Sequence, residues 1–181
     1  VSTLTNQSVL LINGQVDSMG DTDDIIQKYL SLNQYEAAYF NPETYPDKPS
    51  ITKIECKTSH ENNIHKQGDT LEFIFEINNP TPVASAAISY QIVNSSNIPV
   101  LHILNLSEEI PFCKEKGTYV LRSVIPNARL YPDDYLLVVY LADKITKNRF
   151  EKIEDVVSFE VKVFGELRDY YWYPKHAVYV E

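Results

Sequence analysis

Apolar and polar residues alternate with a period of two through most of the chain after residue 50. In the clearest run, Leu71, Phe73, Phe75 and Ile77 share one face of a strand. Clusters of Asn, Pro, Gly and Asp separate the strands that this pattern predicts, at 51–58, 70–78, 85–94, 98–105, 118–125, 134–142 and 155–164. Seven or eight short strands at this spacing predict an all-β fold, an immunoglobulin-like antiparallel β-sandwich.

The beginning of the chain has a different pattern. An apolar run over 10–16 is interrupted at Asn13-Gly14, a pair that tolerates the positive φ of a tight turn and so predicts a hairpin. A short helix ending near residue 30 should follow, capped by Asp21 or Thr22. A hairpin and one helix cannot bury a core alone, so this segment needs a neighbour.

The segment 33–50 is interpreted as a linker. Pro42, Pro46 and Pro49 restrict the residues before them to extended conformations and stop a continuing helix. The aromatic residues among them indicate that the linker packs on the protein. The third region, 51–165, is then the sandwich, and 166–181 is a tail rich in aromatic residues.

Composition narrows the possible functions. With 181 residues, of which 44% are hydrophobic, the chain can bury a core without a metal or disulfide. A formal net charge of −9 disfavours nucleic acid and anionic membranes as partners. The sequence has neither an apolar run of about 20 residues, the length that crosses a bilayer, nor a signal-peptide pattern, so we predict a cytoplasmic location.

The two cysteines, Cys56 and Cys113, have a separation similar to that of an immunoglobulin disulfide. No Trp lies between them, however, and Pro111 occupies the position of the Tyr that usually precedes the second Cys. We therefore favour two reduced, partly buried thiols over a disulfide.

The sequence contains no recognisable catalytic or metal-binding motif. The four histidines, His60, His65, His102 and His176, lack metal-ligand spacing, and no glycine-rich loop cradles a nucleotide phosphate. Glu108-Glu109 could serve a glycosidase, but adjacent acids in a polar loop are usually solvated. We expect no cofactor in this fragment and no enzymatic activity, and we keep a glycan-processing enzyme as a weaker alternative.

The segment 130–135, Leu-Tyr-Pro-Asp-Asp-Tyr, is typical of a tyrosine corner. In this motif a Tyr at the start of a strand donates its hydroxyl to nearby backbone and fixes a crossover between the two sheets. Tyr135 is therefore predicted to be a structural residue.

Several of these features resemble those of known protein families. The hairpin at Asn13-Gly14 and the helix after Gly20-Asp21 are similar to the last hairpin and helix of an ABC-transporter ATP-binding domain. Downstream, Gly68-Asp69, Gly117-Thr118-Tyr119 and the 130–135 segment occur in the order seen in the glycan-binding domains of Wzt-type O-antigen exporters. An ordinary N-terminal hairpin of the sandwich is the alternative for residues 1–32.

The resemblance implies a carbohydrate-binding domain that recognises the terminal region of an O-antigen or similar polysaccharide before export. It also implies a homodimer that works with a transporter membrane subunit at the inner face of the bacterial inner membrane, with ATPase motifs upstream of Val1. A structural, dimerising or regulatory sandwich that binds no glycan is the alternative.

Sugar sites combine planar polar side chains with aromatic rings on a concave surface. In the strand 85–94, alternation leaves Ala87, Ser89 and Gln91 on the face opposite the core, where small residues leave room. The candidate groove comprises Ser89, Gln91, Tyr140 and Glu160, with His102 and Arg122 from adjoining strands. For each of them an ordinary solvated sheet residue is the alternative.

The C-terminal tail contains Tyr171, the chain's only Trp, Trp172, and Tyr173. Exposed aromatic residues in an extended tail are typical of an interface, so we favour contact with a second protomer. A stacking platform for sugar is the alternative.

Overall fold

A computed structural model describes residues 5–12, 14–32, 37–106 and 112–164. The chain divides into two compact units, 1–35 and 36–181. The described residues confirm the predicted all-β sandwich with a short N-terminal hairpin and helix. No described helix has the length and apolar character needed to cross a membrane.

The first unit consists of β1 (Gln7–Ile12), β2 (Gln15–Asp21) and α1 (Thr22–Leu32). The strands pair antiparallel, and Gly14 in the turn between them has a φ of 78°, which a residue without a Cβ adopts at little cost. At the start of the helix, the Asp23 N–H donates to Asp21 Oδ1 at 3.0 Å, so Asp21 is the cap.

The hairpin has one covered face and one open face. Leu10 is buried, as is Ile25 of the helix. On the other side, Val9 pairs with Met19 and Leu11 with Val16. These four side chains share a face and are 48–68% exposed.

The described residues of the second unit form nine strands. In chain order they are β3 (Ala38–Phe40), β4 (Ser50–Lys57), β5 (Ile64–Lys66), β6 (Leu71–Asn79), β7 (Ala86–Asn94), β8 (Pro99–Leu106), β9 (Gly117–Ile125), β10 (Asp133–Asp143) and β11 (Arg149–Lys162). One sheet has the order β3-β4-β6-β9 and the other β5-β11-β10-β7-β8.

Three features of these strands differ from the sequence-based expectation. Strands β3 and β5 were not predicted, since a strand of three residues is too short to show alternation. Strand β3 lies within the segment interpreted as a linker, and β5 pairs parallel with β11 in an otherwise antiparallel sheet. Strand β11 begins at Arg149 rather than at residue 155.

The early start of β11 was missed because the strand is irregular. Its register with β10 shifts on either side of Leu137, and Asp155 and Val157 have φ values of 56° and 54°. Positive φ is uncommon for residues other than glycine and is rare for a β-branched residue such as Val157. Both positions fit bulges that insert an extra residue into the strand. The bulges break the period of two over 154–157.

The core lies between the two sheets and contains the alternating apolar residues that the sequence predicted. Phe73 of β6 contacts Tyr90 of β7 and Phe159 of β11, with ring centroids 5.1 and 6.0 Å apart. Tyr135 stacks on Phe159 at 5.5 Å. Aromatic pairs at these distances add to the stabilisation from buried area.

The predicted tyrosine corner is present where the chain crosses from β9 in one sheet to β10 in the other. The hydroxyl of Tyr135 donates to the backbone oxygen of Tyr131 at 2.7 Å, and this bond is buried. Burial raises the pKa of Tyr135 above its ordinary value. The phenol therefore stays protonated and remains a donor.

Cys56 and Cys113 are both free and buried, as expected from the sequence. Burial in apolar surroundings disfavours the thiolate, which raises the pKa of the Cys56 thiol and raises that of Cys113 to about 12. Neither thiol is therefore a ready nucleophile or metal ligand.

Candidate functional site

The outer face of the five-stranded sheet consists of the side chains that point away from the core. In β7, Ile88, Tyr90 and Ile92 belong to the core, so Ser89 and Gln91 project from the other side. In β10 the residues Leu137, Val139 and Leu141 face the core. Their neighbours, Leu136, Val138, Tyr140 and Ala142, belong to the outer face, as the alternation predicted.

The strand register places four side chains in one row across the sheet. Leu104 of β8 lies opposite Ser89, Ser89 lies opposite Tyr140, and Tyr140 lies opposite Lys152 of β11. Lys152 Nζ is 5.8 Å from the centroid of the Tyr140 ring. In the next row His102 lies opposite Gln91, and Gln91 opposite Val138.

A groove of about 490 Å³ opens on this face. It lies between the sheet and the turn that joins β10 to β11, and its lining residues are Ala87, Ser89, Leu104, Tyr140, Ala142, Asp143, Lys144, Ile145 and Lys147. Small side chains on β7 and β10 leave the space, while Tyr140 supplies an aromatic ring with a hydroxyl. We call this depression the sheet groove.

The turn beside the groove is organised by Asp143. Its Oδ1 accepts from the Ser85 hydroxyl at 2.6 Å and from the Ile145 and Thr146 N–H groups at 2.8 and 3.2 Å. The Ser85 hydrogen bond is the main reason that the pKa of Asp143 lies below its usual value. Sequence reasoning missed this turn, although an Asp at a strand end that bonds its own backbone is a recognised turn signal.

The structure brings together some of the predicted site residues. Ser89 and Tyr140 both line the sheet groove. Gln91 and His102 form a cross-strand pair one row away on the same sheet. Gln91 is half-buried and His102 exposed, so both side chains reach solvent beside the groove.

Arg122 lies elsewhere, on β9 in the four-stranded sheet, and the expectation that it adjoins the groove is wrong. Its partner across the strand is Ile74, and its guanidinium donates to Glu72 Oε2 at 2.5 Å. This interaction is the main reason that the pKa of Glu72 lies below its usual value. The strand order, which the alternation cannot give, separates Arg122 from the other candidates.

Glu160 lies on the same sheet as the groove but at a distance from it. It pairs with Asp134, six residues before Tyr140 along β10, which corresponds to about 20 Å. Its carboxylate contacts Lys162 Nζ at 2.9 Å. The remaining candidates, Tyr171, Trp172 and Tyr173, fall outside the described residues, as does the Glu108-Glu109 pair.

A second, more open depression of about 780 Å³ lies around the turn before β5. There His60 stacks on Phe164, with ring centroids 4.6 Å apart. In the described ranges, no cluster of three or more His, Cys, Asp or Glu side chains is suited to hold a metal ion. The sheet groove is the better candidate site because it is a concave surface in which an aromatic ring lies beside small side chains.

By sequence, the chain matches neither a family model nor a curated protein. Its fold does have a solved counterpart. The sandwich resembles the crystal structure of the C-terminal domain of Wzt, with a TM-score of 0.55 and 11% identity over 73% of this chain and 84% of that domain. At this identity the likeness concerns the fold.

Two other structural neighbours align less well. A Niemann-Pick type C2 protein from the Japanese carpenter ant has a TM-score of 0.48 and 6% identity, over 68% of this chain and 100% of that protein. A β-glucuronidase from Bacteroides uniformis has a TM-score of 0.44 and 15% identity, over 66% of this chain and 14% of the enzyme. Because both TM-scores are below 0.5, the Wzt domain is the neighbour among these three that bears on the fold.

Proposed function

We propose that the sandwich is a carbohydrate-binding domain and that the sheet groove holds the sugar. The observation that carries this proposal is the groove's lining, in which Ala87, Ser89 and Ala142 leave room beside the ring and hydroxyl of Tyr140. An aromatic ring packs on the apolar C–H face of a sugar, while hydroxyl groups exchange hydrogen bonds with it. The fold likeness to the Wzt C-terminal domain supports the same function.

In its finer form, the proposal is that the ligand is the terminal region of an O-antigen or similar polysaccharide, bound before an ABC transporter exports it. Residues 1–32 would be the end of the ATP-binding domain, and the homodimer would act in the cytoplasm with a membrane subunit. The domain would select its glycan by binding, without chemistry or a cofactor. The hairpin and helix that precede the sandwich support this arrangement.

Isothermal titration with the O-polysaccharide of the organism that encodes the chain tests the proposal, with an unrelated neutral glycan as the specificity control. We expect saturable binding of the first glycan, and Tyr140→Ala should weaken it at least tenfold. Phe40→Ala is the matched variant, because Phe40 is an aromatic residue of the other sheet that is 67% exposed. No binding to either glycan, or equal loss in both variants, would contradict the proposal.

A second candidate function is a structural or regulatory sandwich that dimerises an ATPase and binds no glycan. The four-stranded sheet favours it, because Val120 and Val124 on its edge strand β9 are 64% and 46% exposed, and Phe40 on the opposite edge is also open. Exposed apolar side chains on one sheet are typical of a contact surface.

Sedimentation of a chain that ends at Phe164 separates the two functions. If the structural function is correct and the tail of one protomer contacts the four-stranded sheet of the other, loss of the dimer is the main consequence of the truncation. If the chain binds glycan through the sheet groove, the truncated monomer still binds the polysaccharide, because every lining residue of the groove precedes Phe164.

A further inference from the structure

The sheet groove is bounded at one end by the turn that joins β10 to β11. The backbone of this turn is fixed, because the N–H of Asp143 donates to Asn148 O at 2.8 Å. The N–H of Lys144 donates to Ser85 O at 3.0 Å and ties the turn to the start of β7. In the other direction the outer face of the sheet continues along β7 and β10. A ligand that is longer than the groove therefore extends along these strands, away from the turn and towards Gln91.

The outer face is longer in this direction than one sugar. Ala142 of β10 lines the groove beside the turn, and Val138 lies four residues earlier in the same strand. At about 3.4 Å per residue, four residues of an antiparallel strand span about 14 Å. A single pyranose ring is much shorter than this distance. The surface from Ala142 to Val138 therefore has room for two sugar units in line.

The row next to Tyr140 presents neutral polar side chains. There His102 of β8 lies opposite Gln91 of β7, and Gln91 lies opposite Val138. The Gln91 amide combines an acceptor with two donors, and a neutral imidazole has one donor and one acceptor. A sugar hydroxyl group both donates and accepts. The Gln91–His102 pair can therefore bond the hydroxyl groups of a sugar that lies on it.

Both side chains of this pair are available to a ligand. Gln91 is half-buried, His102 is exposed, and neither side chain has a hydrogen bond or an ion pair to another described residue. Glu160 on the same sheet differs in this respect, because its carboxylate is paired with Lys162. A ligand that bonds Gln91 and His102 replaces water at these groups and breaks no interaction within the described part of the protein.

We propose that the glycan lies along β7, with one sugar unit in the sheet groove and the next unit on the Gln91–His102 pair. The first unit packs on Tyr140 with the turn at its end, and the second exchanges hydrogen bonds with the amide and the imidazole. This inference rests on the proposed carbohydrate-binding function. It adds that the ligand is recognised as at least a disaccharide, and that Gln91 and His102 determine which second sugar is accepted.

The test uses the complete chain and fragments of the O-polysaccharide of the organism that encodes it. Partial hydrolysis yields fragments of one, two and more sugar units, and the strongest-binding fragment of each length is compared. Isothermal titration measures the affinities, with ligand-observed NMR for the weakest. We expect the affinity to rise at least tenfold from one unit to two. A tenfold change corresponds to about 1.4 kcal/mol, the size of one or two net hydrogen bonds.

Variants show whether this gain comes from the proposed pair. Gln91→Ala with His102→Ala should bind the two-unit fragment at least tenfold more weakly than the wild type, while its affinity for one unit stays within twofold. Tyr140→Ala should weaken both fragments, because both use its ring. Asn78→Ala with Thr118→Ala is the matched control, since Asn78 is a half-buried amide opposite the exposed Thr118 on the four-stranded sheet.

The outcomes separate this inference from the proposed function. The second sugar position is overturned, and carbohydrate binding stays intact, if the affinity does not rise from one unit to two. A gain that persists in the Gln91 and His102 double variant, or an equal loss in the control pair, has the same consequence. No binding of any fragment or of the intact polysaccharide overturns both.

Discussion

The tyrosine corner allows a stability prediction with a matched control in the same chain. Tyr135→Phe removes the hydroxyl that donates to Tyr131 O at 2.7 Å, without changing the ring that stacks on Phe159. Tyr119→Phe removes a hydroxyl that also bonds a residue four positions earlier, at Glu115, but on the exposed surface. The two substitutions delete the same atom and differ mainly in burial.

The expected magnitudes follow from that difference. At position 135 the backbone oxygen loses a partner in a place that water does not reach, which costs about 1–2 kcal/mol of unfolding free energy. At position 119 water replaces the lost hydroxyl, and the cost should stay below about 0.5 kcal/mol. For a protein of this size, about 1.5 kcal/mol corresponds to a decrease in Tm of about 3–6 °C.

Urea unfolding followed by circular dichroism measures both variants against the wild type. The dependence of unfolding free energy on urea should be the same in all three, so the midpoints report stability directly. If Tyr135→Phe is no less stable than Tyr119→Phe, the corner does not fix the crossover from β9 to β10, and its role as a stabilising device is refuted.

Three further predictions concern other parts of the sandwich. Neither Cys56 nor Cys113 should react with a thiol reagent at pH 8 in the folded chain, because burial raises the pKa of each thiol, and both should react in urea. Reaction before unfolding would contradict the burial of the two cysteines. Arg122→Ala should leave the glycan affinity unchanged within twofold, since Arg122 lies on the other sheet. The titration used for Tyr140→Ala measures it, and a loss of affinity as large as that of Tyr140→Ala would show that the binding surface is wrongly located. His65 is fully buried, and burial lowers its pKa below 6.5, so the folded state resists protonation and stability should fall as the pH drops from 7 towards 5. The decrease in urea midpoint over this range should be smaller in His65→Gln, and an equal decrease would assign the pH dependence to other groups.

The sequence predicted the strands that are long enough to alternate and missed the two that have only three residues. Strand β6 alternates because Phe73 and Phe75 must lie in the core while Glu72 and Glu76 stay outside it. Strands β3 and β5 are held by backbone pairing at sheet edges, where three residues leave no periodic pattern. The bulges near Asp155 and Val157 similarly hid the beginning of β11, since an extra residue reverses the faces of those that follow.

The sequence predicted which side of the strands carries the candidate site, but not which residues come together there. Alternation assigned Ser89 and Tyr140 to the outer side of their strands, and the structure puts them opposite each other. Arg122 and Glu160 show the limit of that reasoning, because membership of a sheet and position along it depend on strand order. The position of Lys144 and Lys147 beside the groove could not be predicted, because it depends on the turn that the hydrogen bonds of Asp143 hold.

The position of the sandwich core along the chain has a practical consequence for fragments of this protein. Every residue of that core lies after residue 50, and the break between the two compact units falls at residue 35. A fragment that starts at Glu36 would keep the whole core and the sheet groove. It would also lose the open hairpin face of Val9, Leu11, Val16 and Met19, so we expect it to be the more soluble material for crystallisation.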